Sequence, residues 1–103
     1  MSDNILDKIA ADLANNNIVL YLKGTPDFPQ CGFSYRVVEI LNQLNISYHA
    51  VDVLADDLVR QGIKEYGNWP TIPQLYVNGE LIGGCDIICQ LNDSGELVDR
   101  LSQ

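Results

Sequence analysis

Between "QLYV" and "ELIG" lie only Asn78 and Gly79, and this two-residue spacer constrains the fold more than any other stretch of the chain. Both residue types tolerate the positive φ that tight hairpin turns require, so the flanking apolar runs read as an antiparallel pair. An earlier pair of runs obeys the opposite rule. "NIVLYLK" is a continuous apolar run of strand length, as a strand buried on both faces should be, and "ISYHAVDV" reads as the next strand. Between them Phe33, Val37, Ile40, Leu41 and Leu44 recur at helical spacing, with Asn45 as a left-handed stop. A crossover long enough for a helix implies parallel pairing with a right-handed connection. One sheet must therefore hold both parallel and antiparallel neighbours, with the first strand at its centre.

Helical patterns fill the remainder. Ile5, Ile9 and Leu13 recur every fourth residue behind a capping Ser2 or Asp3. Asp56 and Asp57 favour the positive end of a third helix that carries Leu58, Val59, Ile63 and Tyr66, and Gly67 supplies its end. "CDIICQLNDSGELVDRL" closes the chain with apolar residues at helical spacing, broken near Ser94-Gly95. A βαβ unit followed by a ββα unit predicts an α/β architecture: a four-stranded mixed sheet with helices on both faces. With 103 residues and 47% hydrophobic content, a single domain over residues 1–103 is expected.

Charge and leader signals narrow the function classes. A net charge of −8 repels nucleic acid and anionic membrane surfaces, so neither is expected as a partner. No apolar run approaches the roughly 20 residues of a membrane-spanning helix. "MSDNILDKIAADL" reads as a mature start and not an export signal, and three cysteines in such a chain argue against a disulfide framework. A cytoplasmic location is the expectation.

The chemistry concentrates in "KGTPDFPQCGFSYRVVEIL", where Cys31 opens the second helical pattern after a proline-bearing loop. A thiolate, not a thiol, is the nucleophile and metal ligand, and a free cysteine is mostly protonated at neutral pH. At a helix N-terminus, unpaired backbone N–H groups and the helix dipole favour the anion, and Lys23 at the end of the first strand adds positive charge. Ser34 stands where a Cys-x-x-Cys enzyme carries its second thiol. A hydroxyl cannot attack a mixed disulfide, so intramolecular release is missing and Cys31 must use an external thiol or bind something other than a disulfide. Cys85 and Cys89, four apart on a predicted helix, invite a zinc reading with His49, but structural zinc needs four ligands and no second Cys/His pair has suitable spacing.

The predicted arrangement is the thioredoxin fold. "CGFS" after "KGTPDFPQ", "RQGIKEYGNWP", and "WPTIPQLYVNGELIGGCDI" together resemble the monothiol glutaredoxins of the CGFS type, single-domain form, over nearly the whole chain. The resemblance implies a glutathione site. Lys23 and Arg60 would meet the glycine carboxylate, with Lys64 nearby. Thr71, Ile72 and Pro73 match the segment whose second proline is cis in this fold and whose backbone pairs with an extended peptide. Gly83-Gly84 lets the chain pass close to a ligand. Cys85 and Asp86 open a helix whose free N–H groups can hold a carboxylate, while Asp86 meets the ammonium of the γ-glutamyl end.

Two functions follow. The first is binding and transfer of a [2Fe–2S] cluster. Such clusters take four thiolates, so the resemblance implies a homodimer in which two Cys31 and two glutathione thiolates bridge the cluster, with Cys31 as the metal ligand. Iron–sulfur acceptor or assembly proteins would be the partners. The second is a glutathione-dependent thiol–disulfide oxidoreductase that removes glutathione from mixed disulfides through Cys31 as the catalytic thiol. The missing resolving thiol favours the first and allows at most a weak reductase.

Overall fold

A computed structural model describes residues 4–102. The helices are α1 (Ile5–Asn15), α2 (Gly32–Gln43), α3 (Asp57–Tyr66), α4 (Cys85–Ser94) and α5 (Glu96–Leu101), and the strands are β1 (Ile18–Leu22), β2 (His49–Asp52), β3 (Gln74–Val77) and β4 (Glu80–Gly83). The strands lie in the order β2-β1-β3-β4. β1 runs parallel to β2, with Leu20 opposite Ala50, and antiparallel to β3, with Leu20 opposite Leu75. The β3–β4 hairpin turns on Asn78 and Gly79 with φ of 51° and 81°, the double positive φ that the spacer predicts.

β1 is buried throughout because successive side chains point to opposite faces and each face meets helices. Ile18, Leu20 and Leu22 face the core shared with Val37 and Leu41 of α2, Ile88 of α4, and Leu97 and Leu101 of α5. Val19 and Tyr21 face the other core, with Ile9 and Leu13 of α1 and Val59 and Ile63 of α3. This is the mixed sheet with helices on both faces that the pattern implies.

Several local expectations change. The proposed caps Ser2 and Asp3 lie outside the described residues, and Asn4 caps α1 by accepting the Leu6 N–H at 2.9 Å. β2 is shorter than "ISYHAVDV", beginning at His49. On α3, Leu58 and Tyr66 are 66% and 40% exposed, so the buried stripe is Val59, Gly62 and Ile63. Gly67 caps α3 in a right-handed conformation, φ −84°, and the left-handed residue is Asn68. Glycine is required at 67 for a different reason: a Cβ there would collide with the Tyr76 hydroxyl and sit 3.0 Å from Gln74 Oε1.

Candidate functional site

Cys31 is the N-cap of α2, in extended conformation, and its carbonyl accepts the Tyr35 N–H at 2.9 Å. Two devices hold it in place. The loop before it folds back on its own base: the Gln30 N–H bonds the Lys23 carbonyl at 2.8 Å, and Thr25 and Phe28 exchange backbone bonds at 3.1 and 3.3 Å. Asp52, at the end of β2, anchors that base by accepting the Gly24 N–H at 2.9 Å. The second device is Ser34. It is fully buried, and its hydroxyl accepts the Lys23 N–H at 3.1 Å, joining the end of β1 to the first turn of α2.

These surroundings lower the pKa of the Cys31 thiol. The backbone N–H groups of Ser34 and then Phe33 contribute most, followed by the Lys23 charge and the Ser34 hydroxyl, against a desolvation effect in the opposite direction. The thiol makes no capping hydrogen bond. The amides act through their proximity and orientation at the helix terminus. Helix terminus and lysine thus act together as the sequence predicts, with the amides dominant.

Cys31 opens onto a cavity of about 430 Å³. Lys23 and Lys64 supply its positive side, and Thr71, Ile72 and Pro73 form one wall, where the Ile72–Pro73 peptide bond is cis. Gly84, Cys85 and Asp86 form the facing wall at the start of α4. A Cβ on Gly84 would stand 3.2 Å from Trp69 Nε1 and 3.3 Å from the Pro73 carbonyl, so a side chain would wedge the two walls apart. Of the sequence-predicted site residues only Arg60 does not line this space; its Nε is buried without a hydrogen-bond partner. Arg60 and Lys64 are one turn apart on α3, but only Lys64 faces the cavity.

The walls also contain Phe33, Trp69, Pro70 and Ile87, which the site prediction omits. Trp69 and Pro70 belong to the "NWPTIP" block, so proximity in sequence to Thr71 was their signal. Gln74 has no such signal. Fully buried, it donates from Nε2 to the carbonyls of Trp69 and Thr71 at 3.1 and 3.2 Å and accepts the Tyr76 hydroxyl on Oε1 at 2.8 Å. It fastens the cavity wall to β3. Among the described residues no three His, Cys, Asp or Glu side chains gather into a metal-binding group, so His49 stands apart from Cys85 and Cys89.

The glutaredoxin family model matches residues 18–82, which span the reactive thiol, the cis-proline wall and most of the sheet. The chain belongs to the glutaredoxin family. It is 58% identical over 86 residues to the ycf64-like monothiol glutaredoxin of Synechocystis, covering 84% of this chain and 80% of that one. It is 46% identical over 101 residues to probable monothiol glutaredoxin 2 of Rickettsia typhi, covering 98% and 91%. Larger plant relatives also match, and the chain spans 20 to 56% of the length of three from rice and Arabidopsis. Among solved structures, reduced poplar apo GrxS14 superposes with a TM-score of 0.78 at 50% identity, covering 94% of this chain and 86% of that one. A buckwheat glutaredoxin–glutathione complex superposes with a TM-score of 0.84 at 25% identity, covering 95% and 87%. In this chain Cys31 at the α2 N-terminus is followed three residues on by Ser34 and not by a second cysteine.

Proposed function

We propose that this glutaredoxin binds glutathione in the Cys31 cavity and, as a pair of chains, carries a [2Fe–2S] cluster to acceptor proteins. The observation that carries the reading is the burial of Ser34 with its hydroxyl committed to the Lys23 N–H, beside an activated and partly exposed Cys31. An activated thiol without a resolving partner is suited to hold a ligand, and poorly suited to release a mixed disulfide by itself.

The cavity fits glutathione in size and polarity. Its volume lies in the range of small-molecule sites. Lys23 and Lys64 would meet the glycine carboxylate. Thr71, Ile72 and Pro73 would take the extended backbone, while the start of α4 and Asp86 would hold the carboxylate and ammonium of the γ-glutamyl end. The solved glutathione complex of the buckwheat glutaredoxin supports this ligand. A [2Fe–2S] cargo takes four thiolates. One Cys31 and one glutathione per chain supply half of them, and a second chain with its own glutathione supplies the rest. The exposed Phe28, Phe33 and Tyr35 around Cys31 offer apolar area for that pairing.

Anaerobic reconstitution with iron, sulfide and glutathione, followed by size-exclusion chromatography and visible spectroscopy, tests the proposal. A coloured dimer with one cluster and two glutathiones per two chains is expected, bleached in Cys31→Ser. Colour in a glutathione-free monomer, lost in Cys85→Ser, would overturn it. A colourless product with efficient turnover of glutathionylated substrate would establish the oxidoreductase instead.

A further inference from the structure

We infer that the apolar side of the Cys31 cavity takes a hydrocarbon group carried on the ligand's sulfur, so that S-alkyl and S-aryl thioethers of glutathione bind this chain more tightly than glutathione does; this rests on the glutathione reading of the same cavity and adds a ligand class to it.

The cavity has two chemically different sides. Lys23, Lys64 and Asp86, with the cis-proline backbone and the start of α4, answer the carboxylates, ammonium and amides of glutathione. Phe33, Trp69, Pro70 and Ile87 also line the cavity and have no such group to meet. Each presents carbon. Trp69 has one polar side-chain atom, Nε1, and that atom is buried, so the indole offers the cavity only hydrocarbon. Pro70 is exposed and has no N–H. Ile87 is half-buried and seated against the end of β4, where a Cβ on Gly83 would stand 2.8 Å from the Ile87 Cβ. Phe33 is 62% exposed.

This wall begins beside the reacting sulfur. Phe33 is in the first turn of α2, two residues after Cys31, the thiol that the glutathione sulfur would face. Between them Gly32 leaves open space: a Cβ there would meet nothing within 4 Å. Glutathione carries only short methylene segments and would leave most of the wall in water. A hydrocarbon on its sulfur covers that wall, and removing apolar surface from water is favourable. Binding forms and breaks no bond, because a thioether sulfur has no proton to give and is no thiolate, and Cys31 stays a free thiol. The peptide part of the thioether occupies the glutathione position, so it excludes glutathione and with it the second thiolate that each chain must bring to a cluster.

Isothermal titration calorimetry of the reduced chain with glutathione, S-methylglutathione and S-hexylglutathione tests the inference. With one side of the alkyl chain covered, affinity should rise about 2-fold per methylene, and so about 30-fold from methyl to hexyl. Phe33→Ala and Ile87→Ala should each shrink that ratio, a readout that general loosening of the cavity leaves unmoved because it weakens both thioethers alike. Circular dichroism checks that both variants fold. Should Ile87→Ala not fold, nuclear Overhauser contacts from the hexyl protons to the Phe33 and Ile87 side chains of the wild type replace it. Hexyl contacts to other residues instead would overturn the inference. Binding of glutathione with a flat thioether series would overturn it and leave the glutathione reading standing. Equal binding of S-hexylcysteine, which lacks the γ-glutamyl and glycine parts, would overturn it too, since the hydrocarbon would then bind without the glutathione position. No binding of glutathione or S-methylglutathione would overturn the glutathione reading and this inference together.

Discussion

The Ser34 hydroxyl accepts the backbone N–H of Lys23 at 3.1 Å, and through that one bond the residue that replaces a second thiol fixes the strand end that supplies the site's lysine. Ser34 is fully buried, so Ser34→Ala leaves the Lys23 N–H without its acceptor and should cost about 1–2 kcal/mol in urea denaturation. An unchanged midpoint would show the bond to be dispensable. Ser34→Cys keeps a weak acceptor and adds a thiol able to attack the Cys31–glutathione disulfide, so reductase turnover should rise. If it does not, placement of glutathione limits exchange and the missing thiol does not.

Two thiols of this chain should separate by pH. Cys31 is held below the ordinary thiol range, chiefly by the Ser34 and Phe33 amides, whereas burial and the neighbouring Cys89 push Cys85 up to about 11. A lowered pKa means that the thiolate is present at lower pH. A raised one withholds it until strongly alkaline pH. Iodoacetamide labelling followed by peptide mass spectrometry should therefore modify Cys31 with a midpoint below that of a free cysteine, and Cys85 only near pH 11. Equal midpoints would remove the helix-terminus argument. Lys23→Glu should raise the Cys31 midpoint modestly, since amides outweigh the lysine, and should weaken glutathione binding.

The buried amide of Gln74 makes a sharper claim on the cavity wall. It bonds the carbonyls of Trp69 and Thr71 and the hydroxyl of Tyr76, so Gln74→Leu strips hydrogen bonds from three buried or half-buried groups at once. A loss of about 2–4 kcal/mol is expected, with glutathione affinity falling because Thr71 and Ile72 are no longer held. Tyr76→Phe removes only the bond to Oε1 and should cost about 1–2 kcal/mol with little effect on glutathione. Equal losses of affinity in the two variants would detach the wall from Gln74.

Local signals carried most of this molecule. The Asn78-Gly79 turn, the unbroken apolar run of β1 and the helix-length gap before β2 determine a mixed sheet by periodicity and turn geometry alone, and the structure has that sheet. Cys31 at a helix terminus was legible for the same reason. Side-chain reach was not. Leu58 has the apolar character and spacing of a core residue, yet α3 turns Val59 and Ile63 inward, a rotation of the helix that a stripe shared by four residues leaves open. The service of Gln74 was equally hidden, since a glutamine in a strand reads as solvent-facing until the carbonyls it holds are seen.

Arg60 and Lys64 give the last test, because sequence spacing treats them alike and the structure does not. Lys64 lines the cavity, while Arg60 does not line it and carries a buried, unpartnered Nε. Lys64→Ala should therefore weaken glutathione binding several-fold, about 1 kcal/mol for a partly exposed ion pair, as read by isothermal titration calorimetry at low salt. Raising the ionic strength should shrink the difference between Lys64→Ala and wild type, since the contact is screened. Arg60→Ala should change affinity less, while its thermal midpoint reports whether the half-buried arginine stem contributes to packing. If Arg60→Ala loses more glutathione affinity than Lys64→Ala, the guanidinium must swing into the cavity when the ligand arrives. The positive side of the site would then be assembled by binding, with Lys23 and Lys64 only part of it.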